Sequence, residues 1–124
     1  MADSHFSYSA DRLRQLARDV LEYAAQRGAS AAETEVSEGV GQTVTVRRGE
    51  VETIEYNRDK GITVTVYVGQ RRGQSSTADF GDASIRAAVE KAIAIARFTA
   101  EDPCAGLADP ARLARAWPDL DLYH

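Results

Sequence analysis

The side chains best suited to chemistry crowd into one short stretch, "RRGEVETIEYN", Arg47 to Asn57. Glu50, Glu52 and Glu55 stand there beside Arg47, Arg48 and Tyr56. Carboxylates at this density can cage a metal, form a general acid/base pair, or line the wet face of a sheet. The spacing separates these readings. Successive side chains of a strand point to opposite faces. Glu52 then shares a face with Ile54 and Tyr56, while Glu55 shares the other with Val51 and Thr53. The glutamates are split and cannot form one cage along a regular strand. Their expected partners are cross-strand arginines or threonines, each pair worth about 0.2–1 kcal/mol. Gly49 with Glu50 supplies the reversal of a hairpin.

Other chemistries have fewer residues to draw on. The histidines are His5, near the start, and His124, the last residue, and Cys104 is the single cysteine. A structural zinc site needs about four nitrogen or sulfur donors, and a catalytic one about three with an open position. These three residues build neither. Cys104 follows Pro103 in an apolar loop with no histidine beside it, and reads as a buried structural cysteine. "GVGQTV" opens like a dinucleotide fingerprint, but Val44 stands where the third glycine belongs and no helix follows. Two features remain. "GQRRG" puts Arg71 and Arg72 at a hairpin tip, where they could meet a phosphate or carboxylate or simply be solvated. Gln74, Ser75, Ser76 and Thr77 lie on a hydroxyl-rich strand without a "GxSxG" elbow. Such an edge can add a strand from another chain, or be kept polar to prevent that.

The elements that must carry these residues follow from periodicity. Leu13, Leu16, Ala17, Val20, Leu21 and Ala24 recur at helical spacing. Ser9 or Asp11 caps that helix and Gly28 ends it. From Ala32 to Asp79 the period drops to two, in "AETEVSE", "QTVTVRR", "VETIEYN", "GITVTVYVG" and "RGQSSTA". The breaks "EGVG", "RGE", "RDKG" and "GQRRG" are short and contain glycine, which predicts antiparallel neighbours. The helical period returns with Ile85, Ala88, Val89, Ala92, Ile95, Ala96 and Thr99, capped by Asp82 or Ser84. A short helix is expected after Asp109-Pro110. The predicted fold is a two-layer α+β domain. A four- to five-stranded antiparallel meander is covered by two helices, in the order helix, strands, helix. Residues 1–8 are expected as a flexible tail, 9–100 as the domain, and 101–124 as a proline-containing segment leading toward a further domain.

Composition bounds the partners. The 124 residues suffice for one domain, and 44% hydrophobic with 27% charged is ordinary for a soluble one. A net charge of −4 argues against a nucleic-acid-binding face. No apolar run reaches the roughly 18–20 residues of a membrane span, and the start has no secretory pattern. One cysteine favours a reducing, cytoplasmic setting. From the residues alone the chain reads as an interaction or substrate-gripping module ahead of an enzyme.

Longer stretches carry a resemblance. "AAQRGASAAETEVS", "VRRGEVETIEYNRDKGITVTVYVGQRRGQSSTAD", "AVEKAIAIARFTAEDPCAGLAD" and "PDLDLYH" together resemble the amino-terminal domain of the TldD/PmbA family, on its PmbA (TldE) branch. The ending "DPCAGLAD" favours that branch. The resemblance implies a cytosolic heterodimer of TldD-like and PmbA-like subunits that trims or degrades flexible peptides. Tasks of that kind include microcin maturation, and an older family label is modulator of DNA gyrase. It also implies that zinc sits on a downstream "HExxxH" motif of the TldD-type partner. This chain has no such motif, so no catalytic or metal residue carries over and no cofactor is expected within it. The expected role is a non-catalytic domain contributing to a partner interface and a peptide-holding cavity, with Arg71, Arg72, Gln74, Ser75, Ser76 and Thr77 as contacts. Two alternatives remain: a domain of an active zinc metallopeptidase whose "HExxxH" lies downstream, or a stand-alone peptide-binding module.

Overall fold

The computed structural model describes residues 5–122, so His124 lies outside the described residues. Helix α1 (Ala10–Gln26) leads into strands β1 (Ala31–Arg47), β2 (Glu50–Val68) and β3 (Arg71–Thr77), followed by helix α2 (Asp82–Phe98). A 3-10 turn, Pro110–Arg112, follows after an irregular stretch. The strands form one antiparallel sheet in the order β1-β2-β3.

Among the described residues the sheet has three strands rather than four or five. "EGVG" and "RDKG" do not turn. Gly39 and Gly41 stand opposite Asp59 and Asn57 within the ladder, and Gly61 stands opposite Ser37. None of these glycines has a positive φ. The real reversals need what only a few residues allow. Arg48 (φ 54°) and Gly49 (φ 85°) supply the two left-handed centres of a type I′ turn. Gly69 (φ 61°) supplies the first centre of the β2–β3 turn. Four expected strands thus fuse into two long ones.

The helices form where the apolar stripes place them. Ser9 Oγ accepts from the Arg12 backbone N–H at 3.1 Å, capping α1. Gly28 takes φ 93° just past its end. The start of α2 differs from expectation. Neither Asp82 nor Ser84 is its cap; the cap position is Gly81, which has no side chain to give. Asp79 serves instead, accepting from the Gly81 N–H at 2.9 Å and the Ser84 hydroxyl at 2.6 Å.

Both helices close over one face of the sheet. Leu16, Val20 and Ala24 of α1 and Ile85, Val89, Ala92, Ile93 and Ala96 of α2 cluster with Ile62, Val64 and Val66 of β2. Each fully buried aliphatic side chain stabilises the fold by about 1.5–3 kcal/mol. Ile93 is buried where the pattern suggested Ile95, which is half-exposed. The cause is close packing of α2 on β3. A Cβ on Gly73 would collide with the backbone of Ala92 and Ala96, so those two residues define the buried arc and Ile93 falls inside it.

Beyond Val36 and Ile62 the helices end but the strands continue. Residues 38–47 and 50–60 form a two-stranded arm, roughly 30 Å long at the usual rise per residue. Residues 5–8 are bound at its root. Within the segment expected as a tail, Ser7 and Tyr8 donate backbone N–H bonds to the Glu38 carboxylate at 2.8 and 3.0 Å. The Lys60 ammonium lies 5.1 Å from the Tyr8 ring centre and 4.9 Å from that of Phe80. Among the described residues no helix is long and apolar enough to cross a membrane.

Candidate functional site

The sheet face opposite the core is built from the odd-numbered residues of β1 and β2 and the even-numbered residues of β3. Register aligns Glu33 with Thr65 and Gln74, Glu35 with Thr63 and Ser76, and Tyr67 with Arg72. A hollow of about 270 Å³ is lined by Glu33, Glu35, Thr63, Thr65, Arg72 and Gln74. Thr65 at its centre is 4% exposed. A second hollow of about 430 Å³ adjoins it, where residues 99–106 curl against Tyr67, Arg72 and Gln74. Arg72 and Gln74 line both hollows. The Tyr67 hydroxyl donates to Glu33 at 3.4 Å and Arg72 donates to Gln74 Oε1 at 3.3 Å. The two hollows thus meet at Arg72 and Gln74, with the Glu33 and Glu35 carboxylates on the β1 side and a guanidinium and an amide on the β3 side.

The residues singled out in the sequence divide between this groove and structural duties. Arg72, Gln74 and Ser76 point to the groove side. Gly73, Ser75 and Thr77 occupy the helix side of the same strand. Arg71 holds the chain after α2, donating to the Arg97 carbonyl at 3.1 Å and to Glu101 at 3.4 Å. The Thr77 hydroxyl accepts from the Asp79 N–H at 3.1 Å, shaping the approach to α2. The tip of the β2–β3 hairpin is Gly69-Gln70, with Arg71 and Arg72 the first residues of β3. β3 is hydrogen-bonded to β2 on one side and is an edge on the other. Glu33, Glu35, Thr63 and Thr65 were not foreseen as groove residues. Their alternation was visible, but only the fused register puts them opposite Arg72 and Gln74.

"RRGEVETIEYN" forms the tip and return strand of the arm. Arg47 pairs with Glu52 at 3.4 Å beside a shallow hollow of about 400 Å³. Glu55 lies opposite Thr43, on the same face of β1 as Arg47; a register irregularity between Thr45 and Val46 breaks the regular alternation that the sequence suggested, and brings Glu52 to Arg47. Among the described residues, no three histidine, cysteine, aspartate or glutamate side chains come together as metal ligands. The described residues therefore offer no donor set that fits a zinc ion. Cys104 is exposed rather than buried, because its loop lies on the surface. Its backbone N–H donates to Asp102 at 2.8 Å.

Shifted pKa values mark structural joints. Partial burial opposes ionisation of Glu38. It is outweighed by the Ser7 and Tyr8 N–H groups, the Ser7 hydroxyl and the charge of Arg58, so its pKa falls below the ordinary 4.5. The Ser84 hydroxyl, then the Gly81 N–H, hold Asp79 below its ordinary 3.8. The Tyr8 hydroxyl, accepting from Lys60, raises the lysine above 10.5. Glu90, accepting from the Tyr23 hydroxyl, raises that phenol above 10.0.

Comparison with known proteins gives the lineage. Residues 32–96, just over half the chain, match the family described as PmbA/TldA metallopeptidase domain 1. The chain is 43% identical over 112 residues to a metalloprotease PmbA homolog of Haemophilus influenzae, and 42% identical over 112 residues to metalloprotease PmbA of Escherichia coli O157:H7. Each alignment covers 90% of this chain and 25% of the relative, so the chain spans about a quarter of the curated relatives' length. Among solved structures, a candidate modulator of DNA gyrase from Bacteroides thetaiotaomicron superposes with a TM-score of 0.82 at 25% identity. It covers 93% of this chain and 26% of that one. TldE from Thermococcus kodakarensis shares the fold, with a TM-score of 0.68 at 13% identity over 86% of this chain and 24% of that one. The sequence match over β1 to α2 and the helix–sheet–helix architecture agree, and the chain belongs to the TldD/PmbA family as its N-terminal domain.

Proposed function

We propose that this domain serves a PmbA/TldE-like subunit of a TldD/TldE peptidase by holding flexible peptides and helping to form the contact with a TldD-like partner. The observation that carries the reading is the polar groove joined by Arg72 and Gln74, lying beside the edge strand β3. An extended peptide offers N–H and C=O groups at every residue, and strand addition binds those groups whatever the side chains are. Glu33 and Glu35 suit a cationic or N–H-rich segment, while Arg72 suits a carboxylate or carbonyl. The groove would hold, and zinc chemistry would belong to the partner. Residues 101–124 would form the passage to later parts of the polypeptide, and the complex would work in the cytoplasm.

Backbone amide chemical shifts, followed as an unstructured peptide is added, test the groove. Binding should move the signals of Thr65, Gln74 and Ser76, and Arg72→Ala with Gln74→Ala should weaken it about tenfold or more. Peptide-induced shifts confined to the helices would sink the groove. A second reading follows from the names of the relatives, which are called metalloproteases. In it the parent subunit itself carries the metal, in the part that this chain does not span. Zinc retained stoichiometrically by purified full-length subunit without its partner favours that reading over the first.

A further inference from the structure

The two edges of the arm are chemically unlike. Along β2 the arm reads Glu50 to Lys60 and carries Glu50, Glu52, Glu55, Arg58, Asp59 and Lys60. Charges spaced this closely are how edge strands discourage other chains from pairing. Along β1 the run Gly39–Val46, "GVGQTVTV", has no charge and no proline, and alternates β-branched residues toward the tip. β1 is the outer strand of the sheet over its whole length, and among the described residues no strand lies on its far side. Val40, Val44 and Val46 along it are exposed. A lone two-stranded ribbon is marginally stable in water, whereas three or more strands with an apolar face hold together. The arm has the free edge that a third strand would need.

Charge placement says which strand fits. The neutral run is bracketed by Glu38 on one side and Arg47 and Arg48 on the other. A strand with this layout is complementary to itself when reversed. We propose that β1 pairs antiparallel with β1 of a second copy of this chain, about a two-fold axis near Thr43. Each copy's Glu38 then falls opposite the other's Arg48. Val40 meets Val46, Gln42 meets Val44, and Thr43 meets its own counterpart. Side chains sharing a face in one copy continue on the same face of the other, as strand pairing with an even register sum requires. The two arms become one four-stranded sheet. The contact uses the β1 edge and leaves the β3 edge and the polar groove free, so it stands or falls apart from the peptide-holding role.

The test uses the 124-residue chain. Sedimentation velocity should show a dimer in which residues 39–46 exchange their amide hydrogens slowly. In a Cys104→Ser background, Thr43→Cys should form a disulfide-linked dimer under mild oxidation, since directly opposed residues of a strand pair lie within disulfide range. Glu55→Cys, on the neighbouring strand of the same arm, should not. Thr43→Lys sets two ammonium groups side by side at the axis and should weaken the dimer at least about tenfold with unchanged helical circular dichroism. Arg48→Glu, which sets two carboxylates opposite each other, should weaken it less, by several-fold, and reverse the sign of its salt dependence. A monomer persisting to about 100 µM, where even a weak interface populates a dimer, overturns the proposal. So does slow exchange of residues 39–46 within a monomer, which would mean that another strand covers the edge. Equal cross-linking at Thr43→Cys and Glu55→Cys, or a dimer indifferent to Thr43→Lys, would place self-association on another face and likewise overturn it.

Discussion

Ile62 and Ile54 belong to the same strand and the same face, eight residues apart, yet one is 1% exposed and the other 53%. Around Ile62 the sheet carries α1 and α2 on that face. Around Ile54 it carries nothing from the described residues. Both stretches alternate β-branched and polar residues. Alternation therefore fixes which side chains share a face, but not whether that face has a cover. The base of the hairpin is core, and the arm is ribbon with the same grammar.

The contrast is most sharply tested at the base. Ile62→Ala should cost about 2–5 kcal/mol, since it removes a fully buried aliphatic side chain and leaves a cavity under two helices. Urea titration of the variant measures it, and a loss below about 1 kcal/mol would show that the helices do not seal this face. Gly73→Ala comes next. Its new methyl group meets the Ala92 and Ala96 backbone rather than a movable side chain, so α2 must lift from β3. About 1–3 kcal/mol is expected for such overpacking. Equal stability with the wild type would mean that α2 approaches β3 less closely than the Gly73 contact requires.

Much of this was legible in the sequence because it is local. The stripe Leu16, Val20, Ala24 and the alternation Ile62, Val64, Val66 identify the helix face and the sheet face without any tertiary information. The strand count was not legible, because glycine is compatible with both turns and straight strands. Only Gly49 and Gly69 take positive φ among the strand-region glycines, while Gly39, Gly41 and Gly61 stay in register. That choice is made by the partner strand. The groove was half legible for the same reason. Arg72, Gln74 and Ser76 could be named from β3 alone. Glu33 and Thr65 join them only once β1 and β2 run unbroken. Cys104 shows the converse error, since an apolar neighbourhood in sequence did not become burial in space.

Where base and arm meet, acidity should probe the joint. The folded pKa of Glu38 lies below its ordinary 4.5, so Glu38 contributes stability that is present above that value and is lost as pH falls through the folded pKa. Glu38→Gln should therefore destabilise near neutral pH and differ less from the wild type under strong acid. Thermal unfolding across that range reads the difference. Asp79 titrates in the same sense at the start of α2, so some acid dependence persists in the variant. A constant gap between the two proteins at every pH would remove Glu38 from the joint.

The smallest effect is expected at Ile54. Truncating it to alanine removes the same atoms as Ile62→Ala, but they leave water-exposed space rather than a sealed core. No cavity forms, and the loss should stay within about 0.5 kcal/mol, as for ordinary surface positions. The comparison is cleanest in dilute solution, where the isolated monomer is measured. A large loss there would mean that Ile54 is covered by the chain itself, and the distinction between base and arm would dissolve. A small loss that grows with protein concentration would instead show that the apolar face, Ile54 beside Val44 with Tyr56 next along β2, is buried when copies associate. In that case the arm differs from the base only in the source of its cover, which another molecule provides in place of two helices.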